Sequence, residues 1–482
     1  MKIRNIKFLI IPVLLVMFST SCSDQLDINT NPLVASTADA NVILPFVFVQ
    51  YSNRHVTELG TRTMDVPQHL NFCFNSPRQG NTSIFLTGNT WFMYYNLVLG
   101  NLQLIEQDAE AAGTSQNNIN AIAKIFKAFS FYELSSIWED IPFSEALDGA
   151  NFPSPNFDRQ EDVLKGCVTI LDEAIALIDQ TPETGIVDLT NGDLIYEGNL
   201  DNWRRFANSL KIRILMMIRN QDSSVDGQIV QALSQPVIDD NSQATMVRYF
   251  DTPAEANAWQ RLIEAFFGGT AESSGVYSPS STLYNMLAER ADPRFDILIF
   301  DPNGLGPAPM GVATFGNPGG VAHISNAAVR SDLPHIIMLP AEISFYRAEL
   351  ALQGVINEDP QAAYEEGLRQ IISFWGGDIP GARIAAPPAL IDAYIGSRPA
   401  LSSLSSDEAL QTVHEELYLE SFLRPILAWN TVRRTGVPEL EEVPGTSIST
   451  ILKRFNYPPD EVGSNINTPP NLPTDTPQWF EN

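Results

Sequence analysis

The stretch Asn117–Leu147 reads NNINAIAKIFKAFSFYELSSIWEDIPFSEAL and carries the longest helical pattern in the chain. Apolar side chains recur at steps of three and four residues along one face, and a second apolar set fills another face. The two sets are Ile119, Ile122, Ala123, Phe126, Phe129 and Ser130, and Ile125, Ala128, Phe131 and Tyr132. With so little polar surface, this helix must be covered on most sides, and we expect Phe126 and Phe129 to be buried. Pro142 predicts its end, and the part from Ile119 to Trp138 would be roughly 30 Å long.

Helical periodicity also marks the segments around this central helix. Short polar turns between successive helices predict antiparallel hairpins. The small residues Ala362 and Ala363 are typical of tetratricopeptide units, in which paired helices approach closely. The predicted pairs are Trp91–Glu110 with the central helix, Arg159–Gln180 with Asp201–Asn220 (N-cap Asn199 or Asp201), and Pro340–Gln353 with Pro360–Trp375, followed by a long helix at Ser406–Arg433. The sequence therefore predicts a mostly α fold of tetratricopeptide-like helical hairpins.

Irregular, loop-rich insertions interrupt this helical array. Gly, Pro, Ser and Asn punctuate residues 221–335, where shorter helices are expected at 228–233, 257–267 and 279–290. Six prolines follow Asn456, which predicts an extended segment there.

The N-terminal residues have the pattern of an export signal. Lys2, Arg4 and Lys7 precede an apolar run that is too short to span a bilayer, and small residues lead to Cys22. We therefore expect a signal peptide at residues 1–21 and a single domain at 22–482, with a polar tether at 22–40. Cys73 and Cys167 could pair in an oxidising compartment or remain as two buried thiols.

The charge balance narrows the possible partners. The chain has 29 basic and 57 acidic residues, a net charge of −28, and removal of the three basic residues of the signal peptide leaves −31. Such an acidic surface repels phosphate backbones, so we expect no nucleic-acid partner.

No motif for catalysis or metal binding is present. The five histidines show no H-E-x-x-H spacing, and both C-x-x-C and G-x-S-x-G are absent. Adjacent acids such as Glu139-Asp140 could suggest a glycosidase pair, but neighbouring carboxylates in an acidic protein are more often solvated. We expect no metal, no cofactor and no catalytic residue.

Aromatic and amide residues in the irregular segments are the better candidates for a site. Flat apolar rings stack on sugars or peptides, while amides and guanidinium groups bond hydroxyls or carbonyls. The predicted ligand-binding residues are Phe72, Asn75, Arg78, Trp259, Arg261 and Tyr277.

Five elements in order resemble the SusD/RagB family, the outer-membrane nutrient-binding lipoproteins of Bacteroidetes. The central helix with its Asp-Ile-Pro-Phe turn is similar to the family's, with Phe143 where Tyr is usual. The second element is a lipobox-like Cys22 with Ser19 three positions before it, and the third is Leu283–Leu287 before Asp292-Pro293-Arg294. The fourth is Trp429-Asn430-Thr431-Val432-Arg433-Arg434-Thr435-Gly436-Val437-Pro438, with Asn430 replacing an acid. The fifth is Arg454-Phe455-Asn456-Tyr457-Pro458. The placement of Arg433 and Arg434 at a helix end predicts a bond from at least one of them to helix-end carbonyls or a carboxylate.

This resemblance implies a SusD-like fold and a function. It implies anchoring in the outer membrane through acylated Cys22, with the protein exposed at the cell surface. It also implies capture of an oligosaccharide or oligopeptide and delivery to a SusC-type TonB-dependent transporter, without catalysis. Two alternatives stay open at this point. One is a surface glycosidase, and the other is a helical scaffold that binds proteins but no small ligand.

Overall fold

The structure is a computed structural model that describes residues 39–72, 84–178, 189–310, 320–443 and 451–481. Ala38–Asn482 form one compact unit. The predicted signal peptide, Cys22, Cys73, Asn75 and Arg78 lie outside the described residues. None of the helices in the described ranges is both long and apolar enough to cross a bilayer.

Helices dominate the described part of the chain, as predicted. The first half contains α1 (Ala40–Arg54), α2 (Ile84–Phe92), α3 (Gly100–Ala111), α4 (Asn117–Trp138), α5 (Gln160–Leu177), α6 (Leu200–Arg219) and α7 (Asp226–Leu233). The second half contains α8 (Ala258–Phe267), α9 (Ser281–Glu289), α10 (Pro340–Leu352), α11 (Pro360–Ser373), α12 (Pro388–Ser397), α13 (Ser406–Glu420) and α14 (Pro425–Thr435). The hairpins α3/α4, α5/α6 and α10/α11 pack as the sequence predicts, and α4 also packs along α5.

Strands are short and pair antiparallel over long sequence distances. β1 (Leu70–Phe72) pairs with β3 (Tyr277–Pro279), β2 (Thr245–Val247) with β6 (His335–Met338), and β4 (Ile299–Phe300) with β5 (His323–Ile324). The β1/β3 pair joins the irregular region between α7 and α10 to the chain that follows α1, and both strands of the other two pairs lie within that region.

The central helix α4 is buried along almost its whole length, which confirms the prediction for Phe126 and Phe129. The Phe126 ring meets Phe48 and Tyr51 of α1 edge-on, with centroids 5.0 and 5.2 Å apart. Phe129 contacts Tyr51 and also Phe206 of α6. One turn of α4 therefore joins α1 to α6.

Remote side chains complete the carboxyl end of α4. The last carbonyls of a helix have no partner within it, and burial makes an unmade hydrogen bond costly. Gln160 Nε2 donates to the Ser135 carbonyl at 2.9 Å, Gln478 Nε2 donates to the Ser136 carbonyl at 3.0 Å, and the Phe455 amide donates to the Ile137 carbonyl at 2.9 Å. Residues 451–481 thus cap the helix on which the array is built.

Buried ion pairs link the last helices to the core. Arg213 of α6 holds Glu342 of α10 through two bonds of 2.6 and 2.7 Å. Arg434 holds Glu349 in the same bidentate way, at 2.7 and 2.8 Å, so the predicted carboxylate partner is confirmed. Burial raises the pKa of the Glu349 carboxyl, but the charges and hydrogen bonds of Arg434 and His414 together lower it, and the net shift is downward.

Two predicted segments differ from the structure. The expected helix Ser406–Arg433 is broken into α13 and α14, because Leu423 has a left-handed φ of 64° and Pro425 begins a new helix. The segment 456–481 was expected to be extended; it contains no strand, and it includes a short helix at Pro459–Ser464 and a 3₁₀ turn at Trp479–Glu481. Asn199, one of the two N-cap candidates, caps α6 by accepting from the Asn202 amide. Cys167 is a buried free thiol.

Candidate functional site

Helix α8 carries the largest predicted site residue, Trp259, in its first turn. Asn257 fixes this end, because its side-chain oxygen accepts from the Trp259 amide at 2.8 Å while its Nδ2 donates to the Leu333 carbonyl at 2.8 Å. Trp259 and Ile263, four positions apart, share the buried face. The start of α8 is therefore rigidly held against the strand region.

Three predicted residues, Trp259, Tyr277 and Phe72, come together in one row of rings. Trp259 meets Tyr277 edge-on with centroids 5.0 Å apart, and Tyr277 stacks on Phe72 at 5.1 Å across the β1/β3 pair. Phe267, at the end of α8, meets Phe72 edge-on at 6.5 Å. We call Trp259, Tyr277, Phe72 and Phe267 the aromatic row. Pairs of this geometry add roughly 0.5 to 1.5 kcal/mol to the burial of each ring.

Most of the aromatic row is buried. The exposed fractions of Trp259, Tyr277 and Phe72 are 3%, 2% and 8%, so these rings support a surface and do not form it. Phe266 lies beside the row and is 78% exposed. Successive residues on a helix point about 100° apart, which is why Phe267 packs inward while Phe266 stands in solvent.

Two of the described ranges end close to each other, near Phe72. Phe72 is the last described residue before 73–83, and Met310 is the last before 311–319. Asn71 Nδ2 donates to the Pro309 carbonyl at 2.8 Å, so the described residues that lead into the two segments are neighbours.

Arg261 lies apart from the row. Its Nη2 donates to Asn53 Oδ1 of α1 at 3.3 Å, and the Tyr249 hydroxyl donates to the same oxygen at 3.0 Å. Burial raises the pKa of Tyr249 to about 12, although the bond with Ser52 and the Arg261 charge lower it in part. Arg261 therefore joins α8 to α1 in this structure. Asn75 and Arg78 lie outside the described residues.

The sequence did not single out Phe266 and Phe267. The signal that could have found them is the pair of adjacent phenylalanines at the end of an amphipathic helix, directly before Gly268-Gly269. Both glycines have left-handed φ angles, 70° and 80°, which end α8 at this point. Two neighbouring rings cannot share one buried stripe, so one of them must face outward.

A cleft of about 520 Å³ lies between residues 235–239 and the α10/α11 hairpin, and none of the predicted site residues lines it. Its lining includes carboxylates and amides over an aliphatic floor: Gln235, Pro236, Val237, Ile238, Asp239, Ile343, Ser344, Arg347, Glu358, Asp359, Ala362, Ala363, Glu366 and Gln370. This lining contains no aromatic ring, so the cleft offers no surface for stacking. In the described ranges, no group of three or more His, Cys, Asp or Glu side chains could hold a metal ion.

Comparison with known proteins identifies the class to which this fold belongs. A profile of the SusD-like family, described as "Starch-binding associating with outer membrane", matches residues 49–458. The chain belongs to this SusD-like family of carbohydrate-binding, outer-membrane-associated proteins. No curated protein matches the sequence.

Solved structures of similar fold cover nearly the whole chain. A chitin-binding SusD homolog from Flavobacterium johnsoniae has a TM-score of 0.76 at 19% identity, covering 92% of this chain and 98% of its own. Another chitin-binding protein has a TM-score of 0.77 at 21% identity, with 92% and 99% covered. A SusD homolog from Bacteroides uniformis has a TM-score of 0.75 at 20% identity, with 92% and 98% covered. These likenesses confirm the predicted SusD-like fold.

Proposed function

We propose that this chain is a non-catalytic surface lipoprotein that binds an oligosaccharide and delivers it to a SusC-type TonB-dependent transporter. The observation that carries the proposal is membership of a family described as starch-binding, over residues 49–458. The two chitin-binding proteins of similar fold favour a glycan over an oligopeptide. The lipid anchor at Cys22 and the transporter partner follow from the resemblance described above.

The ligand surface in this proposal is built on the exposed Phe266 ring beside the aromatic row. A pyranose ring has an apolar face that stacks on an aromatic ring, and a site of this kind needs an exposed ring held by a rigid support. Phe266 supplies the exposed ring and the aromatic row supplies the support. Asn75, Arg78 and Arg261 are further proposed contacts, and Trp259, Tyr277 and Phe72 act mainly through the row.

Calorimetric titration with chitin and starch oligosaccharides tests this surface. Phe266→Ala should weaken binding about tenfold, equivalent to about 1.4 kcal/mol, because it removes the stacking ring without opening the core. Phe250→Ala is the matched control, since Phe250 is 54% exposed and lies outside the row. Equal affinities of the two variants would remove Phe266 from the site. Binding of oligopeptides alone would contradict the glycan ligand, and release of shortened sugars would favour a glycosidase.

Cys22→Ala tests the anchor separately. The variant should move from the membrane fraction to the soluble fraction, because a thioether-linked lipid is the expected anchor. Expression without the transporter removes the second possible membrane contact. Retention in the membrane under that condition would contradict lipidation of Cys22.

A further inference from the structure

The outward face of helix α1 is apolar although it lies in solvent. Val42, Phe46 and Val49 are 65%, 37% and 39% exposed. They are four and three positions apart, so they form one row along the helix surface. We call Val42, Phe46 and Val49 the apolar stripe. The opposite face of α1 is apolar as well, and there Phe48 packs on Phe126 of α4. Both faces of α1 are therefore apolar, but only one of them is covered.

The apolar stripe is an uncharged part of an acidic surface. No charged residue occurs between Asp39, the N-cap of α1, and Arg54 at the end of the helix, in a chain whose net charge is −28. A helix that is apolar on all sides is normally covered on all sides. Charged side chains lose much free energy when they leave water, and apolar side chains gain it. The apolar stripe is therefore a part of the surface that can leave water at low cost.

The size of the apolar stripe favours a lipid surface as its partner. From Val42 to Val49 the helix advances roughly 10 Å, and a helix with its side chains is about 10 Å wide, so the stripe covers on the order of 100 Å². A specific protein–protein interface buries about 800 Å² on each partner, much more than the stripe offers to a second copy of this chain or to a transporter. A lipid surface needs no complementary shape, because apolar side chains on one helix face enter between the headgroups.

The position of α1 in the chain points to the same partner. Helix α1 is the first helix in the described part of the chain, and Asp39 follows Cys22 by 17 positions. A segment of this length extends at most about 60 Å. Among the described helices, α1 is therefore the nearest in sequence to the proposed lipid anchor.

We propose that the apolar stripe contacts the lipid surface in which acylated Cys22 is anchored. This inference rests on the lipidation of Cys22 in the proposed function. A lipid chain combined with a second membrane contact holds a protein more firmly than either contact alone. The second contact also restricts rotation of the domain about its tether, so it gives the domain a defined orientation on the membrane. The stripe alone is too small to hold the chain there, and Cys22→Ala should still release it.

Fluorescence quenching in vesicles tests the contact. The lipidated chain with Val42→Cys carries a fluorophore, in a Cys73→Ser background so that the introduced thiol reacts and the buried Cys167 does not. The vesicles consist of phosphatidylcholine with a nitroxide-labelled lipid as the quencher, and they contain no transporter. Fluorescence at position 42 should fall by about half, because an interfacial helix face lies roughly 5 to 10 Å into the headgroup boundary. Val230→Cys on α7 is the matched control, since Val230 is a helical valine that is 43% exposed, and its fluorescence should not change.

Flotation of the same samples separates the contact from the anchor. Protein that floats with the vesicles but shows no quenching at position 42, or equal quenching at positions 42 and 230, would overturn the contact and leave the anchor intact. Protein that does not float would contradict both the lipidation of Cys22 and the contact.

Two further measurements test the apolar nature of the contact. Phe46→Ser changes an exposed side chain and should leave the fold intact, but it should reduce the quenching at position 42. Quenching should persist in about 1 M salt, because salt screens charges and does not weaken apolar contacts. Unchanged quenching in Phe46→Ser, or loss of quenching in salt, would contradict an apolar contact through the stripe.

Discussion

Some ionisable side chains of this protein are buried in one protonation state, so its stability depends on pH. His69 is an example, because its ring lies against Tyr418, with centroids 4.3 Å apart, and Nε2 donates to the Tyr418 carbonyl. Its Nδ1 is buried and has no acceptor in the described residues. Burial lowers the pKa of His69, the bond to the Tyr418 carbonyl raises it in part, the Arg424 charge adds a smaller lowering, and the resulting pKa is about 3.

His69 should therefore make the protein less stable in acid. Below pH 6.5 the unfolded chain binds a proton at this ring and the folded chain does not, so the free energy of unfolding falls as the pH falls towards 3. His69→Gln removes this proton-binding group. The slope of the free energy of unfolding against pH should therefore decrease by up to about 1.4 kcal/mol per pH unit between pH 6 and 4. Urea unfolding across this range measures the slope. Identical slopes would show that His69 is protonated in the folded state, and above pH 7.5 the slopes should agree.

At the scale of single elements, the hydrophobic periodicity of the sequence predicted those features that neighbouring residues determine. The central helix α4 and the three helical hairpins follow from the spacing of apolar residues and from the turn residues. Helix α4 ends at Trp138, before Pro142. The break between α13 and α14 was missed although Pro425 marks a helix boundary at this point, and only the left-handed φ of Leu423 has no local signal in the sequence. The aromatic row was found only in part. Rings in irregular segments suggested Phe72, Trp259 and Tyr277, but their burial depends on the β1/β3 pairing between distant segments, which sequence spacing does not contain.

The burial of α4 makes a quantitative prediction for its two central rings. Phe126→Ala or Phe129→Ala should each lower the free energy of unfolding by about 3 to 5 kcal/mol, because a cavity would remain between α1, α4 and α6. Phe152→Ala is the control, since Phe152 is 40% exposed and its loss should cost less than about 1 kcal/mol. Chemical denaturation compares the three variants. A small effect at both central positions would mean that α4 is not the core of the array.

At the scale of the whole molecule, distant parts of the chain close one core. Gln478 Nε2 donates to the carbonyls of Ser136, Ile137 and Lys453, and its Oε1 accepts from Gln160 at 2.8 Å. Gln478→Ala removes these four buried hydrogen bonds and should cost about 2 to 4 kcal/mol, although Arg433 and the Phe455 amide still donate to the three carbonyls. Gln235→Ala is the matched control, because Gln235 is exposed. Thermal unfolding measures both, and equal midpoints would contradict the capping role of Gln478.

The contact between Gln478 and the end of α4 also affects the folding rate. The bond from Gln478 to Ser136 joins residues 342 positions apart, and contacts of such long range slow folding because the intervening chain must be ordered first. Until residues 451–481 return to α4, its carboxyl end keeps open hydrogen-bonding groups. A chain that closes its core late stays unfolded for longer, and during that time its apolar helices are open to aggregation.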